Sequence, residues 1–169
     1  MPDVAFAGYD ISATAISMAQ AHSTSRLKFH CRDLLADSAR FDVLLAIDVF
    51  EHVSDYMGFL RQLRAHGDAF IFHIPLDLSV AALVRPSRLT TTRRISGHLH
   101  YFATETALAT LRDTGYEVVS WRLTAGALEA PQHSMKTHIA NIPRRIIGTF
   151  SRAWAARLLG GYSLLVVAH

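Results

Sequence analysis

The sequence predicts an α/β fold, a doubly wound and mostly parallel sheet with an antiparallel last strand. Short apolar runs alternate with helical patterns along the chain, as in strand–helix–strand repeats. The run DVLLAI at 42–47 is apolar almost throughout, which is typical of a parallel strand covered on both faces. The last run, YSLLVVA at 162–168, follows a long insertion, which favours an antiparallel strand at the sheet edge. The chain has 169 residues, so a single domain is expected.

The first half of the chain supplies four strand candidates and two helices. Strands are predicted at 4–9, 27–31, 42–47 and 69–74. A helix is expected from about Ser12, whose hydroxyl suits the N-cap position. A second helix is expected over about 55–65, because its apolar residues fall on one side: Tyr56, Phe59, Leu60 and Leu63.

The second half of the chain continues the alternation with longer insertions. Residues 74–94 begin as a strand end and become a helix or a lid. A helix at 104–113 is predicted, capped by Thr104 and ended by Gly115, and a strand follows at 116–123. A basic helix is expected after Pro143, before the last strand.

Composition and charge narrow the range of functions. Half of the residues are hydrophobic and 18% are charged, which is a globular composition. The net charge of +3 is mild, and no basic stripe or nucleic-acid-reading motif accompanies it, so no nucleic-acid partner is expected. Cys31 is the only cysteine, and neither a signal peptide nor a membrane span is recognised, which predicts a cytoplasmic protein.

Acidic residues follow three successive strands of the predicted sheet. Asp10, Asp33 and Asp48 each come at or just after a strand end, where open α/β sheets bind their ligands. A carboxylate there can accept hydrogen bonds from ribose hydroxyls. Asp33 is a candidate acceptor from an adenine amine, with Leu34 and Ile11 packing against the ring. The alternative is that each acid is an ordinary turn residue.

Five segments together resemble the class I S-adenosylmethionine-dependent methyltransferases of the small-molecule type. They read GYDIS, CRDLL, FDVLLAIDVFEHVSD, GHLHYF and LRDTGYEVVSW, and the resemblance runs from residue 4 to the last strand. A nicotinamide dehydrogenase fragment would share Asp10. It would not account for the DVFEHVSD segment or the late antiparallel strand.

The resemblance implies S-adenosylmethionine as cofactor and a small-molecule acceptor methylated on oxygen or carbon. By position, Asp10 corresponds to the acid that binds the ribose, with Ile11 beside it. Asp33 and Leu34 correspond to the adenine contacts, and Asp48 lies near the methionine part. The family fold is a Rossmann-like three-layer sandwich with strand order 3-2-1-4-5-7-6, in which strand 7 is antiparallel.

The sequence departs from the family pattern at its beginning. The family opens with a strand and a glycine-rich turn, and the first strand found here, 4–9, corresponds to the second strand of the family. The chain is therefore interpreted as a single methyltransferase-like domain, residues 1–169, truncated at its N-terminus. It carries acceptor-side insertions at about 75–103 and 125–160.

Three explanations for this departure are open: a start assigned too late, a natural fragment without activity, or a strand donated by another chain. Without the first strand, the two strands that flank it in the family either keep backbone N–H and C=O groups without a partner strand or pair directly with each other. Weak or no cofactor binding is expected of such a chain. The alternative function is a non-catalytic fragment that acts as a folding or interaction module.

Histidine is the expected general base for a hydroxyl or acidic-carbon acceptor. His52, His98 and His100, together with Tyr101, are the catalytic candidates; the two histidines of HLH alternate, so they point the same way in an extended segment. His73, inside an apolar strand, is interpreted as structural. A metal site made from Asp48, Glu51 and these histidines is conceivable. The spacing lacks a compact ligand motif, so no metal is predicted.

Two arginine-rich stretches have competing interpretations. The arginines of 85–94 suit a phosphate or carboxylate on the acceptor, or are solvated surface charges. The helix at 143–158 is basic and amphipathic, so it either makes weak contact with an anionic membrane or covers the sheet with its apolar face. The oligomeric state is left open.

Overall fold

The computed structural model describes residues 4–85, 87–125 and 135–169. The chain divides into two compact units, Met1–Arg40 and Phe41–His169. Each unit has its own sheet, and each is treated by itself below.

The first unit is a strand–helix–strand repeat. Strand β1 (Phe6–Asp10) pairs in parallel with β2 (Leu27–Cys31), so that Asp10 lies opposite Cys31 at the carboxyl ends. Helix α1 (Ala13–Gln20) connects them. Ser12 caps this helix as the sequence predicts, because its hydroxyl accepts a hydrogen bond from the Ala15 amide at 3.2 Å.

The second unit contains the larger sheet and six helices among its described residues. The chain order is β3 (Phe41–Ile47), α2 (Tyr56–Leu63), β4 (Gly67–Leu76), α3 (Val80–Val84), α4 (Ser87–Ser96), α5 (Thr104–Asp113), β5 (Val118–Thr124), α6 (Met135–Phe150), α7 (Arg152–Leu159) and β6 (Tyr162–Ala168).

The larger sheet has the strand order β3-β4-β6-β5. Strands β3 and β4 are parallel, and β6 is antiparallel to both of its neighbours, β4 and β5. The predicted antiparallel last strand is therefore confirmed, but its predicted place at the sheet edge is wrong. Strand β6 is apolar almost throughout and suits an interior place, whereas β5 carries Trp121 and Arg122 exposed to solvent and forms the edge.

The strand orders agree with the family order without its first strand. In the family numbering the two sheets read 3-2 and 4-5-7-6. Among the described residues, β1 pairs only with β2 in the first sheet, and β3 pairs only with β4 in the second. The predicted α/β fold class is confirmed.

One face of the larger sheet forms the core of the second unit. Alternate residues of β4 and β6 are buried along their whole length, including Phe72, Ile74, Leu164 and Val166 with 0% exposure. Strand β3 was expected to be covered on both faces. Instead Leu44 is buried while its neighbour Leu45 is 60% exposed, so β3 buries only one face.

The predicted start of α5 at Thr104 is confirmed, whereas its predicted cap and the predicted start of the basic helix are wrong. Helix α5 is capped by Ala103, because Thr104 is already helical; the Thr106 hydroxyl accepts from the Ala103 amide at 2.9 Å. The basic helix begins at Met135 and contains Pro143 in its interior. A second helix then begins after Ser151. The predicted end of α5 is confirmed, since Gly115 has φ +93°, a conformation that suits glycine.

The two predicted insertions are largely helical where they are described. The first contains α3 and α4, and the second contains α6 and α7. Pro86 and residues 126–134, which belong to these insertions, lie outside the described residues. No described helix combines the length and the apolar character needed to cross a bilayer.

The core assignment predicts the result of two matched substitutions. Phe72→Ala should lower the free energy of unfolding by about 3–5 kcal/mol, because it leaves a cavity beneath the sheet. Phe150→Ala removes the same atoms from a ring that is 86% exposed and should change it by less than about 0.5 kcal/mol. Urea unfolding of both variants measures the difference. Equal losses of unfolding free energy in the two variants would contradict the assignment of Phe72 to the core.

Candidate functional site

The turn after β3 is held by a carboxylate and a histidine. Asp48 has φ +50°, a left-handed conformation that aspartate tolerates better than most residues, and its amide donates to the His73 carbonyl at 3.0 Å. Its Oδ1 lies 2.7 Å from His73 Nδ1. The other nitrogen, His73 Nε2, lies 3.2 Å from the Thr124 hydroxyl. Both ring nitrogens have partners, which fits the structural role predicted for His73.

Phe50 anchors the same turn in the core. Its ring is fully buried and meets Phe72 and Phe102 edge-on, with ring centres 6.3 and 5.2 Å apart. The next residue, Glu51, is carried inside with it and is also 0% exposed. An aromatic anchor therefore places an acidic side chain in the interior.

Glu51 lacks the partners that a buried carboxylate usually has. Among the described residues, no other residue donates a hydrogen bond to either of its side-chain oxygens. Burial raises the pKa of Glu51 to about 7; a hydrogen bond from its own backbone amide and the charge of His98 act against this, and the negative charges of Asp48 and Asp77 act with it. Near neutral pH this group is therefore divided between its charged and neutral forms.

The loop at 97–100 is bonded to the backbone of Glu51. The amides of Leu99 and His100 donate to the Glu51 carbonyl at 2.8 and 3.1 Å. Gly97 has φ +76°, and a side chain there would approach His52 Nδ1 at 3.5 Å, so glycine suits this turn. These contacts bring His98 beside Glu51.

His98 belongs to a cluster with Glu51 and His52. The three residues each offer a ligand atom, and these atoms lie within 4.8 Å of one another. The two imidazole rings are 4.9 Å apart and nearly perpendicular. Asp77 holds His98 from outside the cluster, with Oδ2 2.6 Å from Nδ1.

His100 and Tyr101 have different surroundings. His100 Nε2 lies 3.2 Å from the Ser54 carbonyl, which can only accept, so Nε2 carries the proton and Nδ1 the lone pair. The ring packs 4.4 Å from Tyr56. The Tyr101 hydroxyl donates to the Leu89 carbonyl at 2.9 Å and thereby ties helix α4 to this loop.

The predicted cofactor residues of the first unit lie at the carboxyl ends of its two strands. Asp10 Oδ1 accepts from the Ser12 amide at 2.7 Å, and Asp33 Oδ1 accepts from the Leu35 amide at 2.9 Å. Ile11 is 79% exposed, and Leu34 is partly buried. Asp48 belongs to the second unit, and its convergence with the other two acids on one adenosine stays a prediction.

Two residues at the cluster, Asp77 and Glu51, were not among the predicted catalytic or cofactor residues, although Glu51 was considered as a metal ligand. Asp77 follows strand β4 just as Asp48 follows β3, so the pattern of acids after strands would have found it. Glu51 stands beside His52 in the sequence, but nothing in the local pattern indicates that its side chain is buried.

Comparison with known proteins identifies the fold and the family. A family model described as a methyltransferase domain matches residues 3–121. No curated protein sequence matches the chain significantly. Many solved structures are similar, and three of them serve as examples. Magnesium protoporphyrin IX methyltransferase from Synechocystis PCC 6803, with bound SAH, shares 15% identity at a TM-score of 0.57, covering 96% of this chain and 62% of that one.

The other two structures are of proteins whose names give different activities. The N-methyltransferase NodS from Bradyrhizobium japonicum WM9, in complex with S-adenosyl-L-homocysteine, shares 14% identity at a TM-score of 0.58, covering 97% of this chain and 65% of that one. The [4+2]-cyclase SpnF shares 18% identity at a TM-score of 0.59, covering 98% and 65%. At these identities the likeness shows the fold alone.

The chain spans about two thirds or less of the length of these three structures. The family match covers more than half of the chain, and the strand order agrees with the class I methyltransferase fold. This chain belongs to the methyltransferase domain family.

Proposed function

We propose that this chain serves S-adenosylmethionine-dependent methyl transfer to a small molecule, on oxygen or carbon. The observation that carries the proposal is the exposed Asp10 carboxylate at the carboxyl end of β1, within the stretch matched by the family model. When bound, S-adenosylmethionine supplies an electrophilic methyl group on a sulfonium.

The first unit offers the groups that an adenosine requires. Asp10 uses one oxygen for the Ser12 amide, which fixes the carboxylate and leaves the second oxygen for ribose hydroxyls. Asp33 is held by the Leu35 amide in the same way. The exposed side chain of Ile11 provides apolar surface of the kind that packs against a purine.

The second unit offers a base for the acceptor. His100 keeps its lone pair on Nδ1, because Nε2 donates to Ser54, and a lone pair is what removes a proton from a hydroxyl or an acidic carbon. Tyr101 has its hydroxyl engaged by Leu89, so we assign it a positioning role. Methyl transfer depends mainly on alignment of the two reactants, which such supports provide.

A second candidate is a non-catalytic fold module. It is favoured by the open edges of β1 and β3, each with one partner strand among the described residues. A shared fold does not fix the reaction, as the similar [4+2]-cyclase illustrates. Cofactor binding separates the two candidates, because the module requires none.

Titration with S-adenosylhomocysteine, followed by NMR amide shifts, tests the cofactor site. The 169-residue chain should bind it weakly but saturably, with shifts around Asp10 and Asp33. Asp10→Asn keeps the oxygen that accepts from Ser12 and removes the charge, so it should weaken binding by about 1–3 kcal/mol. Asp113→Asn, an exposed acid at the end of α5, is the control and should leave binding unchanged. No saturable shifts would favour the module, and micromolar binding would refute the expected weak affinity.

His100→Ala tests the proposed base. It should spare cofactor binding while slowing turnover by about 10²- to 10⁴-fold, with any acceptor that the wild-type chain methylates. His22→Ala, an exposed histidine after α1, is the matched control. Full activity of the His100→Ala protein would show that His100 has no catalytic role.

Helices α6 and α7 carry an exposed apolar stripe, and we propose that it makes weak contact with anionic membranes. Ile146, Phe150 and Trp154 are 56%, 86% and 57% exposed, so this face does not cover the sheet as the alternative interpretation expected. The adjacent Arg145 is exposed. By contrast, Arg144 donates to the carbonyl of Gly160 at 3.0 Å and has an internal role.

Co-sedimentation with vesicles tests the apolar stripe. The chain should bind vesicles containing phosphatidylserine, less so at high salt, and bind little to neutral phosphatidylcholine vesicles. Phe150→Ser should reduce the bound fraction, whereas Phe6→Ser, which alters a ring 60% exposed in the first unit, should not. Equal effects of the two substitutions would contradict the proposal.

A further inference from the structure

We propose that Glu51, His52 and His98 bind a divalent transition-metal cation. Their ligand atoms lie within 4.8 Å of one another, and the three residues come from the turn after β3 and the loop before α5. The proposal goes beyond methyl transfer and does not depend on it.

The buried carboxylate is the first observation that points to a cation. Glu51 is 0% exposed, and no other residue in the part of the chain that the structure describes donates a hydrogen bond to Oε1 or Oε2. It forms a described ion pair with His52, whose Nε2 lies 3.8 Å from Oε1, which is too far for a hydrogen bond. A buried carboxylate left in this way destabilises the folded state unless a positive charge or a proton joins it.

The orientation of His98 is the second observation. Asp77 Oδ2 lies 2.6 Å from Nδ1, so that nitrogen donates its proton and Nε2 keeps a lone pair. A histidine whose second nitrogen is fixed by a carboxylate is the usual arrangement of a metal-binding histidine. The side chain of His98 is only 12% exposed, so this orientation is also held by packing.

The donor set indicates the class of metal. Two imidazoles and one carboxylate suit Zn²⁺, Fe²⁺, Co²⁺ or Mn²⁺, and they leave positions for water or an oxygen ligand. Ligand atoms around such an ion lie about 3.4 Å apart, so the cluster has to contract. His52 allows this, because its side chain is 39% exposed and lies on the open side of the cluster.

A proton is the competing occupant of the same space. Protonated Glu51 needs no cation, and it would leave the two histidines as ordinary polar neighbours. The two occupants predict opposite results when metal is added, which makes the proposal testable without an acceptor or a cofactor.

Calorimetric titration of the chelator-treated chain with Zn²⁺ tests the site. One equivalent should bind, and Co²⁺ should give visible d–d absorption bands from an imidazole-containing site. Glu51→Gln and His98→Ala should each weaken binding by about 100-fold, and Asp77→Asn by about 10- to 100-fold. His22→Ala, an exposed histidine of the first unit, is the control and should bind as wild type.

Thermal unfolding provides a second readout and guards against misfolded variants. Glu51→Gln keeps the side-chain volume and removes the buried charge, so the metal-free variant should melt no lower than the wild type. Zn²⁺ should raise the melting temperature of the wild type and leave that of Glu51→Gln unchanged. The absence of saturable Zn²⁺ binding would overturn the proposal. Binding that Glu51→Gln and His98→Ala leave intact would assign the metal to other histidines and would also overturn it.

Discussion

Burial of the Phe50 ring is the constraint on which the second unit's candidate site depends. A fully buried phenylalanine is worth about 1.5–3 kcal/mol of hydrophobic stabilisation, and it fixes the path of the chain from Asp48 to His52. The same path forces Glu51 inside, at a desolvation cost of comparable or larger size. The turn persists because its backbone is tied on both sides: Asp48 to His73, and the Glu51 carbonyl to the loop at 97–100.

These backbone hydrogen bonds help to explain why acidic and histidine side chains lie together at one end of the second unit. Strands β3 and β4 are parallel, so the acids that follow them, Asp48 and Asp77, lie toward the same end of the sheet, although β4 extends three residues beyond His73, the partner of Ile47. Each of the two carboxylates is paired with a histidine, His73 in one case and His98 in the other. Glu51 differs from them, because its described ion pair is with His52 at 3.8 Å, beyond hydrogen-bond distance.

The sequence predicted the elements whose signals are local and missed relationships that arise from packing. The bounds of α5, β2 and β6 follow from apolar runs with clear stops, such as Gly115 at the end of α5. Pro143 misled the placement of α6, since proline usually marks a helix start and here lies inside one. The candidates His98 and His100 came from their alternation. Their partners Asp77 and Ser54 are distant in sequence, so no local pattern connects them.

An acid after a strand can be both a turn residue and a ligand residue, because the hydrogen bond of the turn orients the carboxylate for a ligand. Asp10 and Asp33 each use Oδ1 to accept an amide two residues ahead, and this bond fixes the side chain at the strand end. A carboxylate that is already immobilised loses little entropy when a hydroxyl or an amine binds its second oxygen. The local bond therefore lowers the cost of recognition, and finding it does not count against a cofactor role.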